Sequence, residues 1–279
     1  MSGGHLIQLV NAGYGGAPVQ IPALGLGVYQ VPPREAVKCV AAGLKTGYRH
    51  IDTAHLYGNE SEVGQAVRES GIPREEIFVT TKLWNSDHGY QNTLRAFDRS
   101  LKEFGLDYID LYLIHSPIPM QQRLNTWRAM EQILKSGKVK SIGVSNYGVK
   151  HLKELLANCE IRPSVNQLEL HPFNTRNELV AFCEKEGIVL EAYSPLTRGR
   201  RLRHPGLLEI AKKYNKSAAQ VLVKWCLQRG FMVLPKSVKP ERIVENAQVF
   251  DFEITENDMK KLNSFDEHLA VGWDPTTVP

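Results

Sequence analysis

The sequence predicts a (β/α)8 barrel, the TIM barrel, with an N-terminal β-hairpin in front of it. From residue 24 onward, short apolar runs rich in β-branched residues alternate with amphipathic helical patterns, and most of these units span about 30 residues. Because no Pro/Gly/Ser-rich linker interrupts them, the 279 residues are expected to form one domain. This length suits a barrel of typically about 250 residues. An open, doubly wound α/β sheet is the structural alternative.

Eight runs have the length and composition of buried strands. They are Leu24 to Val28, Tyr48 to Asp52, Ile77 to Lys82, Ile109 to His115, Val139 to Ser145, Ser164 to Leu168, Ile188 to Tyr193 and Phe231 to Lys236. The segments between them carry apolar residues at the i, i+3, i+4, i+7 spacing of a helix packed on one face. Two such stripes are Val37, Val40, Ala41 and Leu44, and Leu94, Phe97, Leu101 and Phe104.

Two short segments flank the predicted barrel. Residues 1–23 place the sequence NAGYGG, residues 11–16, between two apolar stretches, a pattern typical of a hairpin. We expect this hairpin to close the bottom of the barrel. Residues 266–279 form a short C-terminal tail.

Composition and charge argue against several function classes. The formal net charge is +4, but Lys and Arg are mixed with Asp and Glu, so no nucleic-acid or membrane surface is expected. The basic run from Arg198 to Arg203 is either a solvated loop or an anion contact for substrate or cofactor. There is no signal-peptide pattern and no apolar run of about 18 residues. Four cysteines without a CxxC pair indicate reduced thiols and a cytoplasmic protein, and a monomer is the default expectation.

Polar residues stand at the ends of the predicted strands, where a barrel builds its active site. They are Asp52, Lys82, His115, Ser145 with Asn146, Gln167, Tyr193 and Lys236. Each has a structural explanation by itself, such as helix capping for Asp52 or core packing for His115. Their occurrence together at one end of the barrel favours a functional site.

Three reaction classes compete for these residues. Metal-assisted hydrolysis has potential ligands in His50, Asp52, His55, His115, Glu169 and His171. Strand alternation weakens this class, because His50 would lie one layer below the barrel mouth. A Schiff-base aldolase would use Lys82 as its nucleophile, but it leaves Tyr57 without a role.

The third class, proton donation coupled to hydride transfer, gives each of these residues a role. Tyr57 would protonate a carbonyl oxygen, and its phenol, with an ordinary pKa of about 10, needs a nearby cation to stabilise the phenolate. Lys82 would supply that charge, with Asp52 as its counter-ion. His115 would donate a hydrogen bond to the carbonyl oxygen and orient it.

From about residue 20 to 265 the chain is similar to the aldo-keto reductases. The resemblance rests on Gly47 to Ala54 with Tyr57 to Glu60, Thr81 to Trp84, Asp110 to His115, Gly143 to Asn146, Asn166 to Pro172, Ser194 to Leu196 and Pro235 to Val238. Each fragment alone is weak, but in this order and spacing they are highly specific.

The resemblance implies a catalytic tetrad of Asp52, Tyr57, Lys82 and His115, and a nicotinamide cofactor extended across the barrel mouth. No Rossmann fingerprint is expected, and Gln30 stands where its third glycine would be. The implied cofactor contacts are Ser145, Asn146 and Gln167 at the nicotinamide carboxamide, Tyr193 on the ring, Ser194 and Leu196 at the pyrophosphate, and Glu245 and Asn246 at the adenine. Glu245 is alternatively an exposed helix partner of Arg242.

The segment from Lys236 to Arg242 indicates NADPH as the cofactor in preference to NADH. Pro240 suits the first turn of a helix, so free backbone N–H groups would converge on one anion with Ser237 and the charges of Lys236 and Arg242. Val238 lies in the same segment. The 2′-phosphate of NADP fits such a site, whereas a ribose hydroxyl would leave two cations unpaired.

The predicted substrate pocket departs from the common family pattern. Ser116 and Tyr29 stand where many relatives carry Trp, and Thr197 replaces the usual Gly. Because the neighbouring loop and the tail are also short, we expect an open site for varied aldehydes and activated ketones, with Tyr29, Trp84 and Ser116 in its wall. The alternative function is an NADPH-binding regulatory barrel with little turnover.

Overall fold

The computed structural model describes residues 5–9 and 18–279 and contains a hairpin followed by a parallel sheet. The hairpin strands are β1 (Leu6–Leu9) and β2 (Val19–Pro22). The parallel strands are β3 (Leu26–Gly27), β4 (His50–Asp52), β5 (Phe78–Leu83), β6 (Ile109–Ile114), β7 (Val139–Ser145), β8 (Val165–Glu169), β9 (Val189–Tyr193) and β10 (Met232–Leu234). Each of the eight predicted strands therefore has a counterpart.

The eight parallel strands close into a barrel. They follow one another in chain order across the sheet, from β3 to β10. A parallel bridge between Leu24 and Val233 joins the two edges, and the N–H of Gly25 donates to the Val233 carbonyl at 2.9 Å. This closure confirms the (β/α)8 barrel and shows that the doubly wound alternative was wrong, since an open sheet would reverse its strand order.

The N-terminal hairpin packs against the bottom of the barrel. β1 and β2 pair antiparallel, with Leu9 opposite Val19. Leu9 and Ile21 are fully buried in a cluster with residues that point into the barrel from the lower ends of its strands, among them Phe78 and Met232. The predicted hairpin is confirmed in its two strands, while the predicted turn, residues 11–16, lies outside the described residues.

Helices cover the outside of the barrel. They are α1 (Pro33–Thr46), α2 (Glu60–Glu69), α3 (Tyr90–Phe104), α4 (Arg123–Lys135), α5 (Val149–Asn158), α6 (Asn177–Lys185), α7 (Pro205–Lys213), α8 (Ala218–Gln228), α9 (Pro240–Ala247) and α10 (Glu256–Asn263). In α1 the first residue is a proline, and Gly47 ends the helix at φ 110°, a conformation that favours glycine. Its buried face includes Val40 and Leu44 as predicted, but Ala41 faces solvent because it falls outside the helical stripe.

The C-terminal tail returns to the barrel mouth. The Glu169 carboxylate, at the end of β8, accepts the N–H groups of Val271 and Gly272 at 2.7 and 3.0 Å. Further on, the Arg176 guanidinium pairs with Asp274 at 2.8 Å. The tail that the sequence delimits at residue 266 is therefore attached to the loops after the strands, next to the polar strand ends.

Two further expectations concern thiols and membranes. All four cysteines are free, and three of them are buried. Within the described residues, no helix has the length and apolar character needed to cross a membrane.

Candidate active site

The carboxyl ends of the strands surround a cavity of about 530 Å³ at the barrel mouth. The predicted site residues in its wall are Tyr29, Asp52, Tyr57, Trp84, His115, Ser145, Asn146, Gln167, Tyr193, Ser194, Leu196 and Lys236. A larger cavity of about 910 Å³ lies at the opposite end, against the hairpin and the lower strand ends. The polar residues predicted from the strand ends thus converge at the upper cavity.

Asp52, which lines this cavity, forms an ion pair with Lys82, which lies outside its wall. Lys82 Nζ donates to Asp52 Oδ1 and Oδ2 at 2.8 Å each and to the Thr53 carbonyl at 2.9 Å. The Lys82 and Asp52 side chains are only 1% and 6% exposed, so neither charge has much water around it. Each therefore depends on the other, because a buried charge without a partner is strongly destabilising.

Tyr57 is placed by a short 3₁₀ turn (His55–Tyr57) that follows β4. Gly58 ends the turn at φ 64°, in the left-handed region. The Tyr57 hydroxyl lies 3.4 Å from Lys82 Nζ, and the ring centroid is 4.9 Å from that of Tyr29. The phenol of Tyr57 therefore sits between the buried ammonium and the open cavity.

The protonation state of Tyr57 follows from its surroundings. Burial, and after it the negative charge of Asp52, raise the pKa of Tyr57 well above its usual value. Lys82 was expected to stabilise the Tyr57 phenolate and so to lower the pKa of Tyr57. This effect does not dominate, because Asp52 neutralises the Lys82 ammonium through two contacts. Tyr57 is consequently a protonated phenol at neutral pH and has a proton to donate.

His115 follows β6 and lines the cavity beside Tyr57, with 5.8 Å between the two ring centroids. Its ring stands edge-on to Trp84 at 5.0 Å. Burial, and next the charge of Lys82, lower the pKa of His115 well below its usual value. The imidazole is therefore neutral at physiological pH and carries one N–H donor.

Ser145 and the residues around it form a hydrogen-bonded group on another side of the cavity. Asn146, at φ 62°, donates from Nδ2 to the His115 carbonyl at 2.9 Å and to Ser145 Oγ at 3.1 Å. Ser145 Oγ donates to the Gln167 carbonyl at 3.0 Å, and the Tyr193 hydroxyl donates to Asn146 Oδ1 at 2.8 Å. These contacts orient the polar side chains before any ligand binds.

The Gln167 amide connects this group to the floor of the cavity. Its Nε2 donates to Asp52 Oδ2 at 2.8 Å and to Glu191 Oε2 at 2.6 Å, which uses both N–H groups. Glu191 was not predicted as a site residue. The available signal was a carboxyl residue in the middle of a buried strand, two positions before Tyr193 and therefore on the same inward face.

The residues predicted for the 2′-phosphate lie around the start of α9, and those predicted for the adenine lie in its last turn. Lys236 is in the cavity wall, and Ser237 Oγ accepts the N–H of Lys239 at 3.1 Å. Ser237 is buried, whereas Val238 and Arg242 are exposed. Beyond the cavity wall lie Ser237, Val238, Arg242, Glu245 and Asn246. Of this predicted set, Lys236 therefore lines the cavity, whereas Ser237 and Asn246 are buried outside its wall.

The expected substrate wall needs one correction. Tyr29 and Trp84 line the cavity, but Ser116 does not. Ser116 is fully buried, and its hydroxyl donates to Asn85 Oδ1 at 2.7 Å, which turns it away from the open space. The Ser116 hydroxyl therefore forms its hydrogen bond inside the protein and does not make the cavity wall polar.

The wall contains further residues that were not predicted for it. Gly272 and Trp273 of the tail line the cavity, and so does Arg198 of the basic run. The Arg198 guanidinium stands 5.5 Å from the Tyr29 ring centroid. Arg198, the first residue of the basic run, therefore faces the site, as the anion-contact explanation of this run requires. Which tail residues reach the cavity depends on contacts between distant parts of the chain, so no sequence pattern indicated Gly272 or Trp273.

The geometry does not suit the aldolase or the metal hydrolase. A Schiff base needs a neutral amine, and Lys82 is instead held as an ammonium by both oxygens of Asp52. Among the described residues, the three-residue group with metal-ligand geometry is His55, Glu60 and Glu103, which is not in the cavity wall. Glu169 and His171 bind each other at 3.0 Å.

A nicotinamide cofactor, in contrast, fits the residues present. The amide and hydroxyl groups of Ser145, Asn146 and Gln167 match the donors and acceptors of a carboxamide. The partly exposed Tyr193 ring offers a flat surface beside them, and Lys236 supplies a positive charge further along the wall.

Comparisons with known proteins identify related enzymes. The model of the Aldo/keto reductase family matches residues 21–267. The chain is 50% identical over 258 residues to the glyoxal reductase of Bacillus subtilis (strain 168), a match that covers 92% of this chain and 93% of the relative. The chain belongs to the aldo-keto reductase family. It is also 48% identical over 261 residues to the 9,11-endoperoxide prostaglandin H2 reductase of Trypanosoma cruzi (strain CL Brener), with 92% of each chain covered.

Solved structures of aldo-keto reductases match this one closely. An aldo-keto reductase from a Medee basin deep-sea metagenome library superposes with a TM-score of 0.92 at 45% identity, over 99% of this chain and 100% of the other. The aldo-keto reductase of Bombyx mori in complex with NADP superposes with a TM-score of 0.88 at 38% identity, over 96% and 94%. This aldo-keto reductase is an NADP-dependent oxidoreductase.

Proposed function

We propose that this aldo-keto reductase transfers a hydride from NADPH to the carbonyl carbon of aldehydes or ketones to give alcohols, with Tyr57 as the general acid. One observation carries the proposal. The Tyr57 hydroxyl, at the open cavity, is 3.4 Å from the Nζ of a lysine that is itself fixed by Asp52. A proton donor, a cation behind it and an anchor for that cation are the parts that carbonyl reduction needs.

Each residue of this group has a distinct part in the reaction. NADPH, when bound, supplies the hydride. Tyr57, a protonated phenol, donates its proton to the carbonyl oxygen as negative charge develops there. The Lys82 ammonium then stabilises the phenolate that remains, and Asp52 holds the ammonium in place. His115, neutral at physiological pH, donates an N–H to the same carbonyl oxygen and orients it.

The cofactor would be held by five groups of residues, one at each of its successive parts. Ser145, Asn146 and Gln167 would bind the carboxamide, and Tyr193 would stack on the nicotinamide. The other proposed contacts are Ser194 and Leu196 at the pyrophosphate, Lys236, Ser237, Val238 and Arg242 at the 2′-phosphate, and Glu245 and Asn246 at the adenine. The support is the convergence of the first group in one hydrogen-bonded cluster and the presence of Lys236 in the same wall.

We propose varied small aldehydes and activated ketones as substrates. The cavity is partly walled by aromatic rings, Tyr29, Trp84 and Trp273, which favour compact apolar groups next to the carbonyl. The glyoxal reductase of Bacillus subtilis, half identical to this chain, makes dicarbonyl aldehydes a sensible first class to assay. Steady-state rates across aldehydes of increasing bulk test the breadth of the site, and a sharp preference for one compact substrate would contradict it.

Tyr57→Phe tests the reaction mechanism. Because only the proton donor is removed, kcat/KM for aldehyde reduction should fall by about 10²- to 10⁴-fold while the Kd for NADPH changes less than about twofold. Turnover is measured as loss of NADPH absorbance on adding an aldehyde, and Kd by quenching of protein fluorescence. Tyr29→Phe, which alters the adjacent ring in the same way, is the matched control and should stay active.

Three outcomes would count against the proposal. Retained turnover in Tyr57→Phe would refute the role of Tyr57. Equal losses in Tyr57→Phe and Tyr29→Phe would point to packing of the aromatic pair instead of proton donation. NADPH binding without aldehyde-dependent oxidation in the parent protein would favour the regulatory barrel.

A further inference from the structure

Glu191 places a carboxyl group inside the barrel, beneath the active site. It lies in β9, paired with Gln167 of β8 on one side and with Met232 of β10 on the other. Its side chain is completely buried. Oε2 accepts a hydrogen bond from Gln167 Nε2 at 2.6 Å, while Oε1 is 3.6 Å from His50 Nε2 and has no hydrogen-bond partner among the described residues.

The groups that face Glu191 offer it no cation of its own. Gln167 and Met232, from the neighbouring strands, are uncharged. From β4 come His50 and Asp52, from β5 comes Lys82, and from the turn after β4 comes Tyr57. The single ammonium of Lys82 is already bound by both oxygens of Asp52.

His50 does not compensate a charge on Glu191 either. Burial above all lowers the pKa of His50 to about 3, so this ring is neutral at physiological pH. An ionised Glu191 would therefore add an unpaired negative charge to a water-free interior, which is strongly unfavourable.

The carboxyl group of Glu191 avoids this cost by keeping its proton. Burial, and next the negative charge of Asp52, raise the pKa of Glu191 to about 8. The unpartnered Oε1 is the oxygen available to carry the proton, since Oε2 already accepts from Gln167. While Glu191 is uncharged, the opposite charges of Asp52 and Lys82 balance each other. Glu191 loses its proton only in the mildly alkaline range.

We propose that Glu191 is a positioning residue of the active site, acting through Gln167. Its carboxyl group accepts one N–H of the Gln167 amide while Asp52 accepts the other, so both N–H groups point toward the barrel interior and Gln167 Oε1 is left for the carboxamide of the cofactor. Its proton keeps a second negative charge away from the nicotinamide and Tyr57. Contact between Gln167 and the carboxamide rests on the function proposed above, whereas the charge state of Glu191 does not.

Glu191→Gln tests the charge state, because the amide keeps an acceptor for Gln167 but cannot ionise. The nicotinamide ring of NADP⁺ is positively charged and that of NADPH is not. As Glu191 loses its proton, NADP⁺ should bind more tightly relative to NADPH. The dissociation constant of NADP⁺ divided by that of NADPH should therefore fall by about threefold or more between about pH 7 and pH 9. In Glu191→Gln this ratio should not vary with pH. Both constants come from fluorescence titrations without substrate.

An infrared measurement gives a second, independent readout. The parent protein at neutral pH should show the carbonyl stretch of a protonated buried carboxyl group, and this band should be missing in Glu191→Gln. Absence of the band from the parent, or the same pH dependence of the dissociation constants in both proteins, would overturn the charge assignment.

Glu191→Leu tests the positioning role, since it removes the acceptor for Gln167 and retains comparable volume. Loss of a hydrogen bond to the carboxamide should weaken NADPH binding by about fivefold to tenfold, with Glu191→Gln within about twofold of the parent at neutral pH. Equal affinity in Glu191→Leu and the parent would refute the positioning role. If Glu191→Leu does not fold, Glu191→Met, which also lacks an acceptor for the Gln167 amide, is measured in its place. None of these titrations needs turnover, so an inactive parent protein would contradict the proposed reaction and leave this test standing.

Discussion

The buried histidines His50 and His88 should each contribute a loss of stability as the pH falls from about 7.5 to 5.5. Burial above all lowers the pKa of His50 to about 3 and that of His88 to about 4. Both rings are therefore neutral in the folded protein throughout this range. In the unfolded chain a histidine has a pKa of about 6.5 and takes up a proton. Protons thus bind preferentially to the unfolded state, and acid favours unfolding.

The size of the effect follows from the same values. For one such histidine, the change between about pH 7.5 and pH 5.5 amounts to one pKa unit, or about 1.4 kcal/mol. His50 and His88 together should therefore lower the free energy of unfolding by about 3 kcal/mol. His115, whose pKa is also lowered, adds to this loss. His55 and Glu191 act in the opposite sense, because a hydrogen bond with Glu60 raises the pKa of His55 and burial raises that of Glu191.

Urea unfolding followed by circular dichroism at the two pH values measures this difference. His88→Gln cannot titrate, so its pH-dependent loss should be smaller than that of the parent by about 1.4 kcal/mol. His268→Gln is the matched control, since that side chain is 90% exposed and surrounded by water in both states. The same pH-dependent change in the free energy of unfolding of His88→Gln and the parent would refute the reasoning.

Two further variants test the cofactor preference and the packing inside the barrel. Lys236→Ala and Arg242→Ala should each reduce the preference of kcat/KM for NADPH over NADH by about tenfold, because each would remove a charged residue that we propose as a partner of the 2′-phosphate. Unchanged discrimination in both would show that the phosphate binds elsewhere. Gly25→Ala should lower the free energy of unfolding by about 1–3 kcal/mol in urea titrations, since its Cβ would lie 2.6 Å from both His50 Nδ1 and Leu234 Cδ2. Gly27→Ala, whose Cβ would meet its nearest neighbour at 3.5 Å, should cost clearly less, and equal costs would contradict the steric explanation.

Most of the fold was predictable because it depends on local patterns. Apolar β-branched runs and helical stripes repeat along the chain, and eight such units in one domain close into a barrel. One error was local too, since Ala41 was placed in a buried stripe that the α1 packing excludes. The predicted hairpin turn lies outside the described residues and stays a prediction.

The site was predictable where it stands at strand ends. Asp52, Lys82 and His115 end successive predicted strands, so the closure of the barrel alone brings them to one mouth. Ser116 and the tail residue Trp273 follow no such rule. Whether Ser116 faces the cavity or Asn85, and where residues after 266 cross the barrel, depend on contacts between distant parts of the chain.

The sequence by itself determined the barrel, the family and the position of the polar strand ends, since periodicity and motif order are properties of the chain. Only the tertiary structure decided the protonation of Tyr57 and revealed Glu191 beneath Gln167. A proton is kept or lost according to the water and charges within a few ångströms. Around Glu191 these come from β4, β5 and β8, which are far apart in the chain and meet only when the barrel closes.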